Sequence, residues 1–211
     1  MLKKSNISYF PEIYEYFKKY FPLCVDKISD IAIIKVTKDS WEKFNFTGYG
    51  YVVRKEDLMT NVRYLEMYSN NQRLYDSLPT KEHKRDINVY RISKQLNNPD
   101  VFILVLDDPN SKFFIIHELA HICGVDESFN YSMKFGDEYL DRKEEQSSYF
   151  SEIRYAKQNN MSFDQYFSLA HPTEFRILQQ GKNQENQENK ELYELAELDK
   201  RDYKRMWEEI K

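Results

Sequence analysis

The chain has 211 residues and a formal net charge of −4, with acidic and basic residues interspersed, so it lacks the basic excess of a general nucleic-acid binder. Aromatic residues make up 16 % of the chain, which is enough to build a core and argues against disorder over most of its length. With 5 glycines and no GxGxxG or GxxxxGK[ST] pattern, a glycine-rich phosphate loop is not expected.

Hydropathy and cysteine usage indicate the compartment. No run of 18 apolar residues occurs, and the N-terminal stretch has no uninterrupted apolar segment of the signal-peptide kind, so we expect neither a membrane span nor a membrane partner. Cys24 and Cys123 can pair with each other, but two cysteines do not make a secreted disulfide scaffold. We therefore expect a cytoplasmic protein.

The first half of the chain carries the strand patterns. Residues 9–23 place aromatic side chains at helical spacing, and residues 59–78 predict a second helix. KEHKRD (81–86) is interpreted as a solvated turn. Short β-branched runs predict strands at 28–38, 49–55, 87–93 and 100–108. The last of them, DVFILVLDD, is apolar at successive positions, which is typical of a strand covered on both faces.

The second half is predominantly helical in pattern. Asp108 and Pro109 are suited to begin a helix and Gly124 to end it. Further helices are expected at about 137–157, after the N-caps Ser162 and Thr173, and from Leu192 to Ile210. The predicted class is α+β, with a small mixed sheet in the N-terminal half and a mainly helical C-terminal half. We expect one domain over 1–180 (sheet-rich 1–108, helical 109–180), a polar linker over 181–191 and a charged helix over 192–211.

The stretch FFIIHELAHICGVDES (113–128) contains two of the chain's 4 histidines. His117 and His121 are four residues apart, so one face of a helix presents both imidazoles, and two imidazoles at that spacing can bind a single zinc ion. Glu118 lies beside the first of them and can act as general base on a water activated by the metal. An ordinary pair of buried histidines needs two separate hydrogen-bond partners inside an apolar helix, which is costly. The pattern therefore predicts a zinc site.

HELAH resembles, residue for residue, the HExxH motif of the zincin metallopeptidases. The resemblance implies a sheet packed on the motif helix, an edge strand that binds extended peptide, and hydrolysis of peptide bonds. The predicted strand at 100–108, which leads directly into the helix, is the expected site of such a peptide.

Two alternatives compete for the third ligand, because a catalytic zinc usually has three protein ligands. In the first, Glu145 belongs to a helix stripe with Tyr149, Glu152 and Ala156. EQSSYFSEI (145–153) resembles the E-A-x-x-F-A-x-E-L helix of the ImmA/IrrE-like minimal gluzincins, although Gln146 and Phe150 replace small residues and Tyr149 replaces Phe. This resemblance implies Glu145 as the metal ligand, with Glu152 supporting the ligands, and Glu144 or Glu152 as substitutes.

In the second alternative the third ligand lies only a few residues after the HExxH motif. HELAHICGVDE has an acid, Glu127, where metzincins have their third histidine, and Met133 follows at about the place of a Met-turn. The long helical tail favours the gluzincin alternative. Glu174 is a reserve carboxylate, and Cys123 is a soft donor that more simply packs in the core.

His171 and Tyr149 are candidates for stabilising the oxyanion of the tetrahedral intermediate. The expected function is hydrolysis of a protein or peptide substrate by a zinc metallopeptidase. A non-catalytic zincin-fold binding module is the main alternative, and a third hypothesis makes the C-terminal helix a separable arm that recruits a protein partner.

Overall fold

The computed structural model describes residues 2–108, 110–124, 142–181 and 187–210, the side chains of residue 3 and residues 187–189 excepted. The chain forms two compact units, Met1–Ser111 and Lys112–Lys211. Within the described residues all strands belong to the first unit, which supports the predicted α+β class with its small mixed sheet. In this part of the chain no helix combines the length and the apolar character needed to cross a membrane.

The first unit is built on a four-stranded sheet. Its strands are β1 (Leu2–Ser5), β2 (Ala32–Val36), β3 (Gly50–Arg54) and β4 (Val101–Leu106). Their order is β1-β2-β4-β3, with β2 and β4 parallel and the two outer strands antiparallel to their neighbours. Residues Phe102 to Val105 of β4 are all fully buried, so the predicted burial of this strand on both faces is confirmed.

The position of β4 corrects one expectation. Both edges of this strand are occupied, by β2 on one side and β3 on the other. Its backbone N–H and C=O groups are therefore already paired, and it has no edge to which an extended peptide could add. The edge strands of the described sheet are β1 and β3.

The first unit also contains helices. They are α1 (Pro11–Tyr20), α2 (Val25–Ile28), α3 (Lys38–Lys43), α4 (Lys55–Met59), α5 (Val62–Ser69), α6 (Gln72–Asp76) and α7 (Lys81–Gln95). One core cluster includes Trp41, Ile92 and Phe102, and it joins α3 and α7 to one face of the sheet. A second cluster joins α5 to α7 through Leu65, Leu78 and Ile87.

Two predictions in this unit were wrong. Residues 87–93 are not a strand, and KEHKRD is not a turn, because both belong to α7. Thr80 begins this helix as its N-cap, accepting a hydrogen bond from the backbone N–H of His83. Ile87 and Tyr90, three residues apart, are both buried in the cluster with α5, so tertiary packing selects the helical period over the β-branched composition. The predicted helix 59–78 is divided at Asn71, which caps α6.

The second unit is helical. It contains α8 (Ser111–Cys123, beginning at the boundary), α9 (Lys143–Gln158), α10 (Phe163–Ala170), α11 (Pro172–Gln180) and α12 (Gln187–Glu209). Gly124 has φ of +56° directly after α8, which confirms its expected place at the helix end. Ser162 caps α10, with Gln165 completing a capping box. The N-cap of α11 is His171 and not Thr173, since the chain turns one residue before Pro172.

The C-terminal helix belongs to the core of its unit. It begins at Gln187, five residues earlier than expected, and it contacts α9, α10 and α11. Ala196, Tyr203 and Met206 are buried on its inner face, and Ile210 after its end is buried as well. Deleting this helix would therefore expose a hydrophobic face of the unit. The expectation that it recruits a protein partner stays a prediction.

Candidate metal centre

The helix α8 presents its two histidines from an apolar environment. Phe113, Ile116 and Ala120 on this helix are fully buried. His117 is also buried, and Nε2 of His121 lies 3.1 Å from Nε2 of His117. The i, i+4 spacing thus brings two ring nitrogens to one point, as the sequence predicted.

The first turn of α9 supplies a carboxylate to the same point. Oε2 of Glu145 lies 3.2 Å from Nε2 of His117 and 3.5 Å from Nε2 of His121. The Glu145 side chain is 10 % exposed. The three donor atoms form a nearly equilateral triangle whose members come from two helices of one unit.

The triangle has the dimensions of a metal site. Zinc bonds to nitrogen and oxygen of about 2.0–2.1 Å in tetrahedral geometry place neighbouring donor atoms about 3.3 Å apart. The distances of 3.1, 3.2 and 3.5 Å fit that value. Two imidazole lone pairs and a carboxylate repel one another unless a cation lies among them. His117, His121 and Glu145 can therefore hold a metal ion, and within the described residues they are the group of histidine, cysteine and acidic side chains that meets this requirement.

A second carboxylate on α9, that of Glu152, forms a hydrogen bond with the other ring nitrogen of His117, Nδ1. Oε1 of Glu152 lies 2.7 Å from Nδ1 of His117, and the Glu152 side chain is 3 % exposed. An ionised carboxylate only accepts hydrogen bonds, so Nδ1 carries the proton. This leaves the Nε2 lone pair directed to the triangle, an arrangement that metal-binding histidines commonly adopt.

Without a metal, the His117 ring binds a second proton and becomes positively charged. Burial lowers the pKa of His117, but hydrogen bonds to Glu145 and Glu152 outweigh it and raise the pKa to about 10. Burial raises the pKa of Glu152, and the contact with His117 opposes that rise. A metal ion that binds His117 near neutral pH must therefore displace a proton.

Glu118 follows His117 on α8 and is half-buried. Its negative charge raises the pKa of both His117 and Glu152, so the carboxylate is close enough to act on the centre electrostatically. The structure thus brings the predicted general base to the same region as the three donor atoms.

Tyr149 on α9 packs directly against the centre. Its ring lies 4.6 Å from the ring of His117 in an edge-to-face arrangement and is half-buried. On its other side it lies 5.0 Å from the ring of Tyr203 of α12. This predicted site residue is therefore in contact with a histidine of the triangle.

His171 lies between α10 and α11 and is buried. Its ring stacks on Tyr203 at 3.8 Å, and its Nε2 is 3.4 Å from the hydroxyl of Tyr166. Burial, assisted by the charge of His117, lowers the pKa of His171 to about 3, so its ring stays neutral. The hydrogen bond of His171 reaches Tyr166, whose hydroxyl in turn reaches Glu152.

Tyr166 and Tyr203 were not predicted as residues of the site. The hydroxyl of Tyr166 lies 3.2 Å from Oε2 of Glu152, and Tyr203 contacts both Tyr149 and His171. With 17 tyrosines in the chain, residue type alone does not distinguish them from packing residues. The available signal was the apolar face of α10, which includes Tyr166 together with Phe167 and Ala170.

The remaining candidates are placed as follows. Glu144 is exposed on the outer side of α9. Glu174 is half-buried on α11, and it is not a member of the metal-binding group found in the described residues. Neither Cys24 nor Cys123 is a free thiol, so Cys123 offers no thiolate to a metal. Glu127 and Met133, on which the metzincin alternative rests, lie outside the described residues.

Comparison of the chain with models of known protein families, with curated proteins and with solved structures found no match in any of the three.

Proposed function

We propose that the protein is a zinc-dependent metallopeptidase of the zincin type, with His117, His121 and Glu145 as the metal ligands. The observation that carries the proposal is the convergence of three donor atoms at 3.1–3.5 Å, two of them from a helix with an HExxH sequence and the third from α9. Two histidines and a glutamate are one of the ligand sets of catalytic zinc sites.

The chemistry divides between the metal and the side chains. When bound, zinc polarises a water molecule and the scissile carbonyl group and lowers the pKa of the water toward 7. Glu118 accepts the proton of the attacking water and then delivers it to the leaving amine. Glu152 keeps Nδ1 of His117 protonated, so that Nε2 remains a ligand.

The hydroxyl of Tyr149 is the stronger of the two candidates for stabilising the oxyanion. The Tyr149 ring lies against His117 and is half-buried, and its hydroxyl is hydrogen-bonded to Tyr203, whereas His171 is buried and its hydrogen bond is directed to Tyr166. A donor to the oxyanion must come within about 3 Å of the reacting carbonyl oxygen. The proposed role of His171 at the oxyanion is correspondingly weaker.

The position of Glu145 supports the gluzincin type over the metzincin type. Its carboxylate comes from a helix that follows the HExxH helix, as the resemblance to the ImmA/IrrE-like minimal gluzincins implies. Small buried serines, Ser147, Ser148 and Ser151, stand on the same helix near Glu145 and Glu152. The proposed substrate is a protein or peptide.

The experiment compares wild type with Glu118→Gln and, as a matched control, Glu144→Gln. Zinc content is measured by mass spectrometry of the metals, and cleavage is measured on a mixture of unfolded peptides. We expect about one zinc per chain in all three proteins, with cleavage lost in Glu118→Gln alone, because Glu118 supplies chemistry and not metal affinity.

Two outcomes contradict the proposal. A wild-type protein that takes up no zinc would show that His117, His121 and Glu145 do not form a zinc site. A zinc-loaded protein whose activity is unaffected by Glu118→Gln, or that cleaves no peptide bond, would favour the alternative of a non-catalytic binding module.

A further inference from the structure

A chain of buried hydrogen bonds leads away from the candidate metal ligand His117. It runs from His171 Nε2 to the Tyr166 hydroxyl at 3.4 Å, from that hydroxyl to Glu152 Oε2 at 3.2 Å, and from Glu152 Oε1 to His117 Nδ1 at 2.7 Å. Its four residues are at most 8 % exposed. Water is therefore largely excluded from this path, and the groups depend on one another.

The direction of each hydrogen bond follows from the chemistry of its members. An ionised Glu152 can only accept, so both His117 Nδ1–H and Tyr166 O–H donate to it. Burial raises the pKa of Tyr166 well above its ordinary value, which keeps the hydroxyl protonated. With its single proton given to Glu152, the Tyr166 oxygen can only accept from His171, so His171 carries its proton on Nε2.

Tyr166 is thereby the group that fixes the second oxygen of Glu152. Among the described residues, its hydroxyl is the hydrogen-bond partner of Oε2, while Oε1 is engaged by His117. Without the hydroxyl, the buried carboxylate can rotate or take up a proton. Either change weakens its hold on Nδ1 of His117 and with it the orientation of Nε2.

We propose that Tyr166 is a positioning residue of the metal centre, which sets the orientation of His117 through Glu152. The inference rests on the proposed function only in that it takes His117 as a ligand. It assigns a role to a residue of α10 that has no contact of its own with the three donor atoms among the described interactions.

The test uses Tyr166→Phe, which removes one oxygen and keeps the ring. The ring of residue 166 packs on Trp207 at 5.6 Å and on Phe113 at 5.5 Å, and phenylalanine retains both contacts. Tyr155→Phe is the matched control, because Tyr155 is equally buried in the same unit and is not one of the four residues that form this chain.

Two readouts are made on each full-length protein. Zinc affinity is measured by competition with a chelator of known affinity. The Nδ1–H resonance of His117 is followed by NMR with ¹⁵N-labelled histidine, which gives a simple spectrum because the chain has 4 histidines. Urea unfolding of the metal-free variants shows whether the two substitutions differ in overall stability.

We expect Tyr166→Phe to bind zinc about tenfold more weakly, at the lower end of the 10–100-fold loss seen when a partner of a metal ligand is removed. Its His117 Nδ1–H resonance should shift and exchange faster with water, while Tyr155→Phe resembles wild type in both readouts. Wild-type affinity and an unshifted resonance in Tyr166→Phe, or equal losses in the two variants, would overturn the inference.

The design separates this inference from the proposed function. If wild type binds no zinc, the metallopeptidase proposal fails. The resonance of His117 in the metal-free protein still decides the role of Tyr166, because the hydrogen bond from Nδ1 to Glu152 does not require a metal.

Discussion

Glu152 Oε1 lies 2.7 Å from His117 Nδ1, and the two residues belong to different helices, α9 and α8. This contact fixes which nitrogen of His117 keeps its proton when a metal binds and which one faces Glu145 and His121. The pairing couples two parts of the chain 35 residues apart, and it makes the donor geometry a property of the folded unit.

Replacing Glu145 by Gln tests the third ligand. A neutral amide is a poor substitute for a carboxylate at a dication, so we expect zinc affinity to fall by more than the roughly 100-fold that loss of a supporting partner causes. Glu144→Gln, on the neighbouring exposed residue, should bind zinc like wild type. Calorimetric titration with zinc distinguishes the two, and normal binding by Glu145→Gln would assign the ligand role to another acid.

Replacing Glu152 by Gln tests the support of His117. The amide keeps the size of the side chain but removes the charge that stabilises Nδ1–H, so we expect zinc affinity to fall by about 10–100-fold. The pKa of His117 in the metal-free protein should fall as well, since the contact with Glu152 raises it. NMR titration of labelled histidine measures this pKa. An unchanged affinity together with an unchanged pKa would show that the contact has no role.

The neutral state of His171 predicts a pH dependence of stability. The pKa of this residue is about 3 in the folded protein and about 6.5 when unfolded, so between these values only the unfolded chain binds the proton. The free energy of unfolding therefore rises with pH from about 3 to 6.5 and gains nothing further from this residue above that range.

The comparison is made with His171→Phe, which retains the stacking on Tyr203. Urea unfolding of metal-free proteins at pH 6.5 and 4.5 should show that wild type loses about 2–3 kcal/mol more than the variant over this interval. Other groups titrate equally in both proteins and cancel. Equal losses would mean that His171 is not held neutral by burial.

The C-terminal helix predicts a contrast between two apolar residues. Met206 is fully buried on α12, whereas Leu195 on the same helix is 56 % exposed. We expect Met206→Ala to lower the free energy of unfolding by about 2–5 kcal/mol and Leu195→Ala to change it by no more than about 0.5 kcal/mol. Chemical unfolding measures both values, and a small effect of Met206→Ala would show that the packing of this helix contributes little to the stability of the unit.

The sequence by itself determined the local features of this protein. The HELAH spacing places His117 and His121 on one helix face regardless of the rest of the fold, because helix geometry is set within a single turn. The stripe of α9 likewise identified Glu145 and Glu152 as neighbours on one face. The apolar run of β4 and the end of α8 at Gly124 were predictable for the same reason, since each depends on a few adjacent residues.

Only the tertiary structure decided which distant groups meet. The strand-like composition of residues 87–93 yields to helix α7 because Ile87 and Tyr90 are buried against α5. Both edges of β4 are occupied, which follows from strand order and not from the sequence of the strand. The contact of Tyr166 with Glu152 joins α10 to α9, and no periodicity within either helix reveals it. Long-range contacts arise from the packing of whole elements, whereas sequence patterns report only the faces that those elements offer.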